Sequence, residues 1–143
     1  MFTFSIQSFN QINQISIAQP HFFILNKGLN SGKPLEKPCP NCFIITVKND
    51  EEKEFLYWLC WGLWQSKKFY HLHIGSVIPF VRLYEFKPYL KEQAAAAFAA
   101  KEQYNKNIKA LQQLEQLEKN YKQNLLLIQD TKRAIFQRAT ARR

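Results

Sequence analysis

Two short stretches of this chain carry residue types that could do chemistry. One is Cys39-Pro40-Asn41-Cys42, where two thiols sit two residues apart. Two thiolates at that spacing can grip one tetrahedral ion, but a structural zinc site wants four ligands and the chain has no second cysteine pair. His71 and His73, close to the end of a helical segment, are the nearest completions, with His21 and Cys60 as further donors. A redox CxxC normally opens a helix whose dipole lowers the thiol pKa, whereas a strand is expected after Cys42. Buried, unligated cysteines are the preferred reading, so no cofactor is required, and zinc at Cys39, Cys42, His71 and His73 stays open beside it. Three cysteines are an odd number, which argues for reduced thiols rather than a disulfide framework.

The second stretch is Gly28–Pro34, GLNSGKP. A phosphate loop needs four residues between its glycines and a hydroxyl residue after its lysine; here three residues separate Gly28 from Gly32, and Pro34 follows Lys33. A turn whose amides and Lys33 meet an anion is an alternative to a plain structural loop. Nothing else invites catalysis. Asp50 and Asp130 are the only aspartates, the glutamates fall in expected helix turns, and no nucleophile, base and acid arrangement is legible, so the chain reads as a non-enzyme.

Charge gives the broader signal. The net charge of +9 is unevenly placed: residues 1–86 carry eight basic and six acidic side chains, residues 87–143 twelve and five. Lys119, Lys122, Lys132, Arg133, Arg138, Arg142 and Arg143 are the candidate contacts of that basic segment. A phosphate backbone, an acidic protein surface or a ribonucleoprotein would suit it, and so would simple solvation of a helix.

The elements that must position these residues centre on Asp50–Phe69, DEEKEFLYWLCWGLWQSKKF. Asn49 or Asp50 can cap a helix there, Glu51, Glu52 and Glu54 suit its positive end, and Lys67 and Lys68 suit the other. From Phe55 to Trp64 nearly every residue is apolar, with Trp58, Trp61 and Trp64 on one side and Leu56, Leu59 and Leu63 toward another. Such a helix is expected to end near Tyr70 and to be buried all round, with an exposed aromatic surface as the alternative.

Around it, Met1–Ile6 alternates like a half-buried edge strand, Ile15, Ile17 and Phe22–Leu25 are strand candidates about Pro20, and Phe43–Val47 reads as a buried strand. Residues 26–40 read as a loop, and Val77–Tyr84 as a last strand with Pro79 at an edge or bulge. After Pro88, placed for a first helical turn, neither glycine nor proline occurs again. The expected fold is therefore α+β: a small mixed or antiparallel sheet on the aromatic helix in residues 1–86, then a long basic helix or helical hairpin in residues 87–143.

The C-terminal heptads place Leu90, Ala97, Tyr104, Leu111, Glu118, Leu125 and Lys132 at one seam position and Ala100, Asn107, Leu114, Tyr121, Ile128 and Ile135 at the other. Glu118 and Lys132 make that seam imperfect. A straight helix of this length would reach on the order of 75 Å and needs a fold-back, a macromolecule or a partner chain, such as a homodimer through the C-terminal helix. The amino end has no basic region before an apolar run, and Phe22–Leu25 is too short to span a bilayer, so a cytoplasmic protein without membrane contact is expected.

Four segments, GLNSGKP (Gly28–Pro34), PCPNCF (Pro38–Phe43), YWLCWGLWQSKKF (Tyr57–Phe69) and GSVIPF (Gly75–Phe80), resemble a family of small uncharacterised proteins of phages and mobile elements of Bacteroidota. The resemblance covers the middle of the chain, and the long basic helix looks like an individual addition. It implies a setting and carries over no site residue. In that setting small basic proteins act on nucleic acid or on host defence complexes, so an anti-CRISPR protein that contacts an RNA-guided nuclease and its guide RNA is the sharpest expectation. The rivals are a DNA- or RNA-binding accessory protein and a coiled-coil adaptor.

Overall fold

The computed structural model describes residues 3–9 and 17–140 and is α+β. The chain divides into two compact units, Met1–Ala100 and Lys101–Arg143. The first holds strands β1 (Ser5–Phe9), β2 (His21–Leu25), β3 (Pro34–Leu35) and β4 (Cys42–Thr46), then helices α1 (Asp50–Gln65) and α2 (Leu83–Ala99), with a 3-10 turn at Tyr70–Leu72. The second holds α3 (Lys101–Thr140). Met1, Phe2 and Ile15, named above as strand candidates, and Arg142 and Arg143, named as contacts, lie outside the described residues.

The sheet is antiparallel throughout, in the order β1-β4-β2-β3. Its register sets Ile6 and Phe22 beside Ile45, and Ile24 beside Phe43, so these side chains share one face. That face is the main core: Phe43 meets Phe86 of α2 at 5.6 Å between ring centroids, Phe86 meets Phe69 at 5.2 Å, and Phe22 meets Tyr57 of α1 at 5.5 Å. The opposite face carries Phe23, Cys42 and Ile44 in a smaller cluster covered by Phe9, Ile17, Leu35 and Cys39. Two buried faces explain why β2 and β4 read as unbroken apolar runs. The short β3 lies inside the stretch expected to be loop.

α1 starts where the sequence says it should. The Asn49 side chain accepts from the Glu52 amide at 2.9 Å, and the Glu52 carboxylate accepts from the Lys48 amide at 3.2 Å. Its end differs from expectation. The helix stops at Gln65, where the Lys68 amide reaches back to the Leu63 carbonyl and the Lys67 amide to that of Trp64. This Schellman closure needs a left-handed residue, which Lys67 supplies with φ 61°. Nor is α1 buried all round: Leu56, Leu59, Cys60 and Leu63 are buried, while Tyr57, Trp58, Trp61 and Trp64 are half-buried. The aliphatic side fills the core and the tryptophan side lies across the boundary with solvent.

The expected strand at Val77–Tyr84 is absent. Val77 is 89% exposed, Phe80 makes isolated bridges to Lys27 and Ile74, and α2 begins at Leu83. Phe86, Leu90 and Ala94, each four residues apart, are the buried stripe of α2, a helical period that outweighs the β-branched run before it. Pro88 therefore lies within this helix rather than at its start. The missing proline amide leaves the Tyr84 carbonyl without its helical donor, and exposed Tyr84 can give that oxygen to water. The boundary between units accordingly falls after Ala100, later than residue 86.

Candidate functional site

All four segments that carry the resemblance come together around the turn at residues 26–34. The Asn26 amide donates to the Asn41 carbonyl at 3.0 Å, the Gly28 amide to Pro79 at 2.7 Å, and the Val81 amide to Asn26 at 3.0 Å. Gly28 (φ 98°), Gly32 (φ 103°) and Gly75 (φ 101°) all adopt backbone conformations that side chains disfavour. At Gly32 a Cβ would also lie 2.2 Å from the buried Phe69 ring.

Within GLNSGKP the amides of Gly28, Ser31, Gly32 and Lys33 all donate to carbonyls, and the Ser31 hydroxyl donates to the Gly28 carbonyl at 2.6 Å. These four donors are thus committed to backbone carbonyls rather than left open as an anion nest. The Lys33 ammonium stands 5.1 Å over the Trp64 ring, a cation–π contact that ties the loop to the end of α1.

The zinc candidates are not brought together. Cys42 Sγ donates to the Cys39 carbonyl at 3.2 Å, Cys39 Sγ to the Asn41 carbonyl at 3.4 Å, and both side chains belong to the smaller core cluster. His71 stands edge-on to Tyr89 at 4.7 Å, and His73 Nε2 lies 3.3 Å from the Ser31 carbonyl. Among the described residues no three His, Cys, Asp or Glu side chains gather as a metal-binding group. Burial pushes the pKa of the Cys60 thiol far up and, aided by Cys39 nearby, raises that of Cys42, so neither is poised as a thiolate.

Sequence reasoning missed a cationic, aromatic end on this unit. Beside Lys33 over Trp64, the Lys67 ammonium lies 5.8 Å from the Tyr70 ring, and Tyr70 stacks near His73 at 5.0 Å. Arg82 lies 4.8 Å over Tyr84 while paired with Glu85. The available signal was the interleaving of aromatic and basic residues in Trp64–His73, WQSKKFYHLH.

The basic candidates on α3 behave differently. The helix buries no residue. Lys122 pairs with Glu118 at 2.7 Å, which raises its pKa, and Arg133 approaches Asp130 at 3.5 Å; no ion pair among the described residues engages Lys119, Lys132 or Arg138. At roughly 100° per residue, Lys119, Lys122 and Arg133 share one flank. Lys132 falls on the apolar seam and Arg138 on the far side, so the five form no single face.

A profile described as a family of unknown function, DUF6943, matches residues 6–138. Neither a curated protein nor a solved structure matches the chain. The family match runs through α3, so the long helix belongs to what the family shares and is not an individual addition. The chain belongs to the DUF6943 family.

Proposed function

We propose that this member of a family of unknown function is a non-catalytic cytoplasmic protein that binds a ribonucleoprotein, most concretely an inhibitor of an RNA-guided CRISPR nuclease. The observation that carries the reading is α3, a 40-residue helix with no buried residue and with Lys119, Lys122 and Arg133 along one exposed flank. At ~1.5 Å per residue it extends about 60 Å, enough to follow many phosphates of a guide RNA. Lys33 and Lys67 over their aromatic rings provide a second cationic surface, of the kind on which unpaired bases stack. No helix among the described residues is long and apolar enough to cross a membrane. The choice of a CRISPR effector rests on the resemblance to proteins of phages and mobile elements.

The test is affinity of the full chain for a guide-loaded nuclease, the nuclease alone, and naked RNA and DNA, each across a salt series. Binding to the loaded effector should weaken as salt rises, and Lys119→Glu with Arg133→Glu should weaken it by on the order of tenfold or more. Binding to naked nucleic acid alone would replace the inhibitor with an accessory protein. No salt-dependent binding to any of them would reject a polyanionic partner.

A further inference from the structure

The seam of α3 has one feature that its individual residues do not explain: its polar intrusions are complementary to each other. Leu111, Leu114, Leu125, Ile128 and Ile135 lie on the stripe together with Asn107, Glu118, Tyr121 and Lys132. Leu114, Tyr121, Leu125, Ile128 and Ile135 are all exposed, between 52% and 66%.

We propose that a second copy of this chain covers that stripe in an antiparallel, twofold-symmetric coiled coil. In such a pair one seam position faces the other kind across the axis, and every contact occurs twice. Setting Leu111 against Ile128 of the second copy also sets Leu114 against Leu125, Glu118 against the Tyr121 hydroxyl, and Lys132 against the Asn107 side-chain oxygen. Apolar layers meet apolar layers, and each charge meets a polar group.

Other arrangements lose this matching. A slide of one heptad in one direction puts Glu118 on Ile128 and Lys132 on Leu114; in the other it puts Leu125 on Asn107 and Glu118 on Leu114. A parallel pair in register puts Glu118 against its own copy and Lys132 against its own copy, two like-charge layers in a seam.

Charge complementarity at the margin selects the same register. It brings Glu115 of one copy beside Lys122 of the other, twice, while the parallel arrangement puts Glu115 near Ala110 and Lys122 near Leu117. Lys122 already turns toward the seam in the single chain, where its ammonium holds the seam carboxylate of Glu118 at 2.7 Å. The twofold axis falls between Lys119 and Asn120, within about one residue of the middle of Lys101–Thr140, so the two helices overlap almost end to end. Arg133 and Lys119 stay off the seam, and the two Arg133 side chains lie toward opposite ends of the rod.

Sedimentation equilibrium of the full chain tests this. The wild type should be a dimer; Glu115→Lys and Lys122→Glu should each raise the dissociation constant on the order of tenfold, since two attractive pairs become repulsive. The double variant should return to within about threefold of the wild type. A monomer at all concentrations, or a double variant no tighter than the singles, would overturn the proposal. Independently of any variant, carbodiimide coupling of mixed light and heavy-nitrogen wild-type chains should yield Glu115–Lys122 cross-links joining one light and one heavy peptide. Cross-links confined to peptides of one isotope would overturn it as well.

Discussion

Phe22, Ile24, Ile45, Leu56, Phe86 and Leu90 in the first unit are fully enclosed, while in α3 Leu114, Leu125, Leu126, Leu127, Ile128 and Phe136 are all more than half exposed. The two units carry apolar side chains of the same kinds. They differ in how they are enclosed: sheet and helices close over one set among the described residues of the first unit, while α3 buries none of its own. Stability of the first unit is therefore a matter of its own packing, whereas an amphipathic helix in water derives its stability mainly from whatever its apolar face packs on.

The largest contrast should come from removing one buried ring. Phe86 touches both Phe43 and Phe69 and has no exposed surface, so Phe86→Ala should cost about 3–5 kcal/mol. Leu126→Gln, off the α3 seam and 60% exposed, should change stability by less than about 0.5 kcal/mol. Cys60 gives a direct readout. Burial raises its thiol pKa, so at neutral pH the folded protein holds less thiolate there than an unfolded chain would, and a thiol reagent should reach Cys60 sooner in Phe86→Ala alone. Equal labelling of the two variants would break the contrast.

Gly32→Ala probes the same core from the loop side. The backbone strain at φ 103° and the collision with Phe69 act together, and a loss of roughly 2–5 kcal/mol in urea unfolding is expected. A loss below about 1 kcal/mol would mean that the Phe69 ring has room to move. Asn49→Ala, which removes the α1 cap but opens no cavity, should cost only about 1 kcal/mol.

What the sequence made legible follows the same division. The cap at Asn49, the buried run at Phe43, the α+β class and the long helix after the last proline could all be read because local chemistry and tertiary packing agree there. Val77–Tyr84 misled because β-branched and aromatic residues favour strands, while the decisive stripe, Phe86, Leu90 and Ala94, lies beyond it and across Pro88. The half-exposed tryptophans stood only as the alternative to full burial, since composition does not say which side of an all-apolar helix the sheet will cover. Lys33 over Trp64 was equally hidden, because it depends on a loop and a helix end that only the fold brings together. On α3, Lys119, Lys122 and Arg133 were all named from charge together with Lys132 and Arg138, but only helical periodicity separates the three that share a flank from the two that do not.

The smallest effect should have the opposite sign. Lys67 closes α1 in the left-handed region, which costs an L-residue with a Cβ about 1–2 kcal/mol relative to right-handed backbone. Glycine lacks that cost but loses more backbone freedom on folding. Lys67→Gly also removes a cation–π contact with the exposed Tyr70, worth about 0.5–1 kcal/mol at such a site. The balance favours a net gain of a few tenths of a kcal/mol, seen as a slightly higher thermal midpoint of the first unit. Lys67→Ala separates the contributions, because it loses the same contact and keeps the strain. If the alanine variant is as stable as the glycine variant, the left-handed closure at Lys67 is not what limits the end of α1.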